Sequence, residues 1–137
     1  MKKYDLSIVM CFRNEDSEPE QTIESILATH GKTHIEILAI DDCSSESTNL
    51  SRFPRVRYIR NTKRLGVGPC RDFGVDDARS ENILIIDAHM RFRQDNWAEK
   101  GKAAIEANPL SIFCTKSIDT GSGRFDSKQR VLPMNHG

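Results

Sequence analysis

Apolar and polar positions fall in blocks along this chain. Leu6-Ser7-Ile8-Val9-Met10-Cys11-Phe12 is a short apolar run with β-branched residues, of strand rather than helix length, and predicts a buried central strand. Ser17-Glu18-Pro19-Glu20 has the spacing of a capping box with proline in the first turn, and Ile23, Ile26, Leu27 and His30 recur at helical intervals before Gly31. These signals predict a helix over 17–30. Ile35-Glu36-Ile37-Leu38-Ala39-Ile40 is a second strand that ends in the turn-and-cap cluster Asp41-Asp42-Cys43-Ser44-Ser45, and Val56-Arg57-Tyr58-Ile59 is a shorter third. The turn Leu65-Gly66-Val67-Gly68 leads into a helix through Arg71, Phe73, Val75 and Ala78, with Pro69 suited to its first turn. Ile83-Leu84-Ile85-Ile86 is a fourth strand without a polar face, followed at once by Asp87-Ala88-His89. Asp95 is placed to cap a helix carrying Trp97, Ala104 and Ile105, which Asn108-Pro109 stops, and Leu110-Ser111-Ile112-Phe113-Cys114 predicts a fifth strand. The order β-α-β-β-α-β-α-β with apolar strands predicts an α/β fold, a largely parallel sheet with helices on both faces.

Composition narrows what such a sheet can serve. With 137 residues, 37% hydrophobic and 29% charged, the chain has the make-up of one globular domain. Twenty basic residues balance twenty acidic ones, so no broad field marks a nucleic-acid or anionic-membrane binder, and an anionic ligand needs a local site. No apolar run is long enough to span a bilayer, and Met1-Lys2-Lys3-Tyr4-Asp5 lacks the pattern of a signal peptide. Membrane association is not indicated, and the expected compartment is cytoplasmic. Cys11, Cys43, Cys70 and Cys114 lie singly, without the spacing of a zinc or redox site, and three of the four sit in or beside apolar segments, where buried thiols are expected.

In an open α/β sheet, ligands bind outside the carboxyl ends of the strands. Those ends carry Arg13-Asn14-Glu15, Asp41-Asp42 and Asp87-Ala88-His89, three polar clusters that turn chemistry alone does not require. Asp87 and His89 flank one small residue, so in an extended turn both can face one divalent ion, Mn²⁺ or Mg²⁺, able to bridge phosphate oxygens. From the motif alone, the same residues read more readily as a turn cap and an ordinary surface histidine. Asp42 can accept a hydrogen bond from a base or simply cap its turn, while Ser44 and Ser45 can contact a ligand or cap a short helix. Arg71 can reach phosphates as a charged fork or lie solvated on the surface.

Four blocks in order carry a resemblance: Ser7 to Glu15, Glu36 to Ser45, Asn61 through Gly66 to Arg71, and Ile83 to His89. Over roughly Asp5 to Ile118 the chain resembles the family-2 group of GT-A glycosyltransferases. The resemblance implies a nucleotide-sugar-binding half-domain over 1–118, with 119–137 a polar tail or the start of an acceptor-side region. It implies that Asp42 contacts uracil, that Phe12, Arg13, Asn14 and Glu15 line base and ribose, that Arg71 approaches the nucleotide, and that the motif at Asp87 holds a metal on the diphosphate. The motif is D-x-H where the family has D-x-D, which resembles the polypeptide N-acetylgalactosaminyltransferases, as does the nearby Trp97. Cys43 stands where the family's turn has glycine.

The resemblance places the acceptor pocket, any general base and the lid after the matched portion. The expected function is transfer of a sugar from a UDP-sugar to an unknown acceptor, with this chain supplying the donor and metal site and no catalytic base assigned. Asp119 and Asp126 are late acids with no role placed on them. The alternative is a nucleotide-binding module or fragment without chemistry, separated from the first by turnover of UDP-sugar with and without acceptor. A receiver-like signalling domain fits less well, because its acid pair follows the first strand and here the pair follows the second, although Lys116 lies near the fifth. An open sheet edge also leaves a homo-oligomer as an option.

Overall fold

The computed structural model describes residues 3–114. The tail from Asp119, with Asp126, and Lys116 lie outside the described residues. Four strands and three helices follow in the order β1 (Leu6–Phe12), α1 (Glu18–Thr29), β2 (Ile35–Asp41), β3 (Val56–Arg60), α2 (Val67–Asp77), β4 (Ile83–Asp87) and α3 (Trp97–Ala107). The sheet has the order β3-β2-β1-β4 and every pairing is parallel, with Ile8 opposite Ile37 and Leu84, and Cys11 opposite Ile40 and Asp87. All three strands β1, β2 and β4 therefore deliver their carboxyl ends to one edge.

Alternation along the strands divides the core between two faces. On one face, Ile8, Met10, Phe12, Ile37, Ala39 and Ile86 pack with Ile23 and Ile26 of α1 and Ala98 of α3. On the other, Val9, Ile40 and Cys70 form a much smaller cluster beneath α2. Gly74 lets α2 approach there, since a Cβ would overlap Val9 Cγ1 and stand 2.9 Å from Ile40 Cδ1. Gly31, at φ +81°, ends α1 in the left-handed conformation expected just past a helix.

Several expectations are corrected. Ser17 precedes α1, but its side chain caps no backbone N–H; its hydroxyl accepts Gln21 Nε2 at 3.0 Å, and Glu20 turns outward to Arg52, so no capping box forms. Asn96 rather than Asp95 precedes α3, again without a side-chain cap, and its backbone N–H is bound to the Thr29 carbonyl at 2.7 Å. No helix follows Ser44 and Ser45. Strand β4 is not covered on both faces, because Ile85 is 45% exposed.

The fifth strand is absent among the described residues, with Leu110 and Ile112 lying almost fully exposed. Handedness supplies a reason: α3 packs on the α1 face, so a parallel strand reached from it on β4's open side would make a left-handed crossover. Three of the four cysteines are expected to be buried thiols, but only Cys70 is buried; Cys11 and Cys43 are half-buried, and Cys114 is exposed. Cys11 ends a strand on the thinly covered face and Cys43 sits in a turn, so neither is enclosed by side chains from both directions.

Candidate functional site

The carboxyl edge is organised first by its backbone. Parallel pairing carries β1 and β2 to Phe12 and Asp41, and the Asp42 N–H then donates to the Phe12 carbonyl at 2.8 Å. The loops beyond interlock. Asn14, at φ 54°, donates its N–H to Ser44 Oγ at 2.9 Å, while its side-chain oxygen accepts the Ser45 N–H at 2.8 Å. Asp41, fully buried, accepts the Ser44 N–H at 2.8 Å and the Tyr58 hydroxyl at 2.7 Å, so Ser44 is itself held from below. An open polar groove of ≈ 550 Å³ lies between these loops, lined by Glu15, Asp16, Ser45 and Glu46 among others. A smaller recess of ≈ 290 Å³ near Asp5, Lys32 and Lys102 contains none of the expected site residues.

Asp42 faces the opposite way, toward α2. Its Oδ1 accepts the Asn61 amide at 3.0 Å and the Leu65 N–H at 2.8 Å, and its Oδ2 accepts the Gly66 N–H at 2.8 Å. Burial pushes its carboxyl up, but the bonds from Leu65, Asn61 and Gly66, with the Cys70 thiol, outweigh it and hold the group at about 2. The residue thus ties the loop before α2 to the end of β2. Gly66, at φ +93°, sits at that tie. Beneath it, burial and the neighbouring Cys70 raise the Cys11 thiol to about 11, which keeps it protonated and a poor nucleophile.

Asp87, Arg71, His89 and Glu15 come together at the same edge. Arg71, on α2, donates to Asp87 Oδ1 at 3.3 Å, with both side chains more than two-fifths exposed. Its Nε is buried without an acceptor. His89 Nε2 stands 4.0 Å from Asp87 Oδ2, and its Nδ1 lies 3.6 Å from Glu15 Oε2. An exposed ion pair such as Arg71–Asp87 contributes little to stability. With metal–ligand bonds of about 2 Å, two donors 4.0 Å apart lie within reach of one ion. A carboxylate and an imidazole therefore fit a divalent cation. Among the described residues no three His, Cys, Asp or Glu side chains gather around one position, so further coordination would have to come from a ligand or water.

The expected residues are thus not equivalent. Glu15, Arg71, Asp87 and His89 converge, Asp42 at the end of β2 is turned toward the loop before α2 and bonded to it, and Arg13 is exposed. The Phe12 side chain belongs to the α1-face core, leaving only its backbone at the edge. Spacing did not reveal a polar stripe on α1. Glu18, Gln21, Thr22, Ser25 and Thr29 recur at helical intervals, and all five bind the segment 90–97 by hydrogen bonds to Met90, Arg91, Phe92 or Trp97. The 3-and-4 periodicity of those polar residues was the available signal.

A parallel sheet in the order β3-β2-β1-β4, with helices on both faces and its polar residues at the carboxyl edge, is a GT-A-type fold. Residues 7–135 match the model of "Glycosyl transferase family 2". The chain belongs to that family. It is 33% identical over 140 residues to the succinoglycan biosynthesis protein ExoO of Rhizobium meliloti (strain 1021), a match covering 95% of this chain and 39% of that protein. It is 33% identical over 114 residues to human polypeptide N-acetylgalactosaminyltransferase 14, covering 79% of this chain and 20% of that enzyme. Among solved structures, S. aureus TarS 1-349 in complex with UDP-GlcNAc superposes with a TM-score of 0.63 at 18% identity, over 74% of this chain and 31% of that one. Its complex with UDP superposes at 0.65 with 17% identity, over 74% and 32%. The chain spans less than two-fifths of the length of these relatives. No helix of the described residues is long and apolar enough to cross a membrane.

Proposed function

We infer that this chain binds the donor of a glycosyltransferase, holding a UDP-sugar at the carboxyl edge of the sheet for transfer to an acceptor hydroxyl. The observation that carries this reading is the convergence of Asp87 and His89 with Arg71 and Glu15 beside the Asp42-tethered loop. TarS, of the same fold, has been solved with UDP and with UDP-GlcNAc, which supports a uridine diphosphate ligand. The Phe12–Glu15 segment and Asp42 would line base and ribose, and the Arg71 fork would approach the diphosphate. Asp87 and His89 would hold Mn²⁺ or Mg²⁺. Such an ion supplies positive charge against the diphosphate as it leaves. Arg71 acts in the same sense, stabilising charge that develops on the leaving group. No residue of this chain is assigned as a base.

Calorimetric titration tests the reading. UDP should bind more tightly than ADP or GDP, and Mn²⁺ should bind weakly alone and better with UDP, because phosphate oxygens complete its coordination. Asp42→Ala should weaken UDP by about 1 to 3 kcal/mol, the cost of losing a hydrogen bond to a charged group. Equal affinity for the three diphosphates removes base recognition. If Mn²⁺ broadens the UDP phosphorus resonances equally with wild type and with the Asp87→Ala/His89→Ala variant, the metal role at these residues is wrong.

A further inference from the structure

The segment Asp87-Ala88-His89 leaves the sheet at the end of β4, and a pair of ligands at that point needs something to fix its backbone. Thr22 does this from α1. It is fully buried, and its Oγ1 lies 2.5 Å from the Ala88 carbonyl and 2.9 Å from the Met90 carbonyl. The same oxygen accepts the Met90 N–H at 3.0 Å and a guanidinium N–H of Arg91 at 3.3 Å. A hydroxyl has one proton and two lone pairs, so one side chain uses its full capacity on the backbone that flanks His89 and on the next side chain. Arg91 closes the arrangement by reaching Glu18, one turn back on α1, and Gln21, the residue before Thr22, each at 2.9 Å. Ala88 is buried beneath, which leaves Asp87 and His89 on the outer side of a clamped residue.

We propose that Thr22 is the positioning residue of the Asp87/His89 pair: its hydroxyl sets the backbone on both sides of His89 so that the imidazole and the carboxylate face one cation. This rests on the donor-binding reading above. Thr22 touches neither the nucleotide nor the metal; it acts through residues 88 and 90. A valine has nearly the same shape but no hydroxyl, and a serine keeps the hydroxyl without the methyl.

Mn²⁺ affinity measured in the presence of UDP, and UDP affinity measured in chelator, separate the possibilities for Thr22→Val and Thr22→Ser. Thr22→Val should lower Mn²⁺ affinity by about tenfold or more, as loss of a group that orients metal ligands does. Metal-free UDP affinity should change by less than about twofold, as expected at a distant independent site. Thr22→Ser should restore the Mn²⁺ affinity. A merely structural role would lower both affinities together and would be seen as a fall in metal-free UDP binding. The proposal is overturned if Thr22→Val binds Mn²⁺ like wild type, or if Thr22→Ser loses the metal as fully as valine does. If Thr22→Val does not fold, the serine variant and its metal affinity still decide. Absence of Mn²⁺–UDP coupling in wild type would overturn the metal reading itself, a result distinct from the two that overturn Thr22 alone.

Discussion

The two faces of the sheet are held by different forces. On the α1 face the cohesion is apolar: Ile23 and Ile26 lie fully buried against Ile8, Met10 and Ile37, and Ala98 of α3 joins them. On the α2 face only Val9, Ile40 and Cys70 form a buried cluster, while Phe73, Val75 and Ile85 are each more than 40% exposed. That helix is tied instead through carboxylates. Asp42 holds its entry at Leu65 and Gly66, and Arg57 bridges the buried Glu36 to Asp77 at its exit. Glu36 also accepts the Ser7 hydroxyl at 2.6 Å and the Arg79 N–H at 2.6 Å. The expected ligand residues follow this division: Arg71 stands on the helix held by polar ties, whereas Asp87 and His89 are steadied from the apolar side by the stripe on α1.

Truncation should separate the faces most clearly. Ile26→Ala empties a fully buried position and is expected to cost about 2 to 5 kcal/mol. Phe73→Ala on α2 removes a larger side chain that is 45% exposed, and should change stability by about 0.5 kcal/mol or less. Urea denaturation of both variants checks the pair. Comparable losses would show that α2 is packed as firmly as α1.

Acid should loosen the α2 face by a further mechanism. The folded Asp42 carboxyl lies at about 2 against an ordinary 3.8, so the charged form is the one the fold prefers. Its contribution is present in full above pH 3.8 and disappears as pH falls through about 2. Integrated over that window, the shift amounts to about 2 kcal/mol. The α1 core contains no carboxylate and should persist longer. Amide exchange between pH 4 and 2 should therefore rise first at Leu65 and Gly66, whose N–H groups bind Asp42, and later along α1. Simultaneous release would mean that the two faces unfold as one unit.

What could be read from the sequence follows the same physics. Strands β1 to β4 and all three helices were legible because apolar period is a local signal. So was the gathering of polar residues at one edge, since parallel strands must end together. Features that depend on partners far along the chain were not legible. Ser17 has the pattern of a capping box, yet nothing local shows that Glu20 is drawn to Arg52. The apolar run Leu110 to Cys114 reads as a strand, but pairing depends on which face α3 takes. Asp42 reads as an acid at a strand end, and nothing local shows that it also holds the loop 61 to 66 through three hydrogen bonds. Thr22 is one polar residue on a helix until the fold sets Ala88 and Met90 against it.

The smallest effect lies at the turn between the faces, where Cys43 adopts φ 61°. An L-residue held in the left-handed region costs about 1 to 2 kcal/mol, and glycine avoids that cost. Against this, glycine gives the unfolded chain more freedom, worth about 0.5 to 1 kcal/mol. The side chain gains little in return, since Cys43 Sγ approaches the Thr62 carbonyl only at 3.7 Å. Cys43→Gly should therefore stabilise the protein by less than about 1 kcal/mol, through local backbone relief rather than packing on either face. The urea midpoint should rise slightly with an unchanged slope, which is how a pure stability change reads out. A fall in the midpoint would show instead that the thiol contact outweighs the strain, and that the β2 turn is held by its side chain as Asp42 is by its carboxylate.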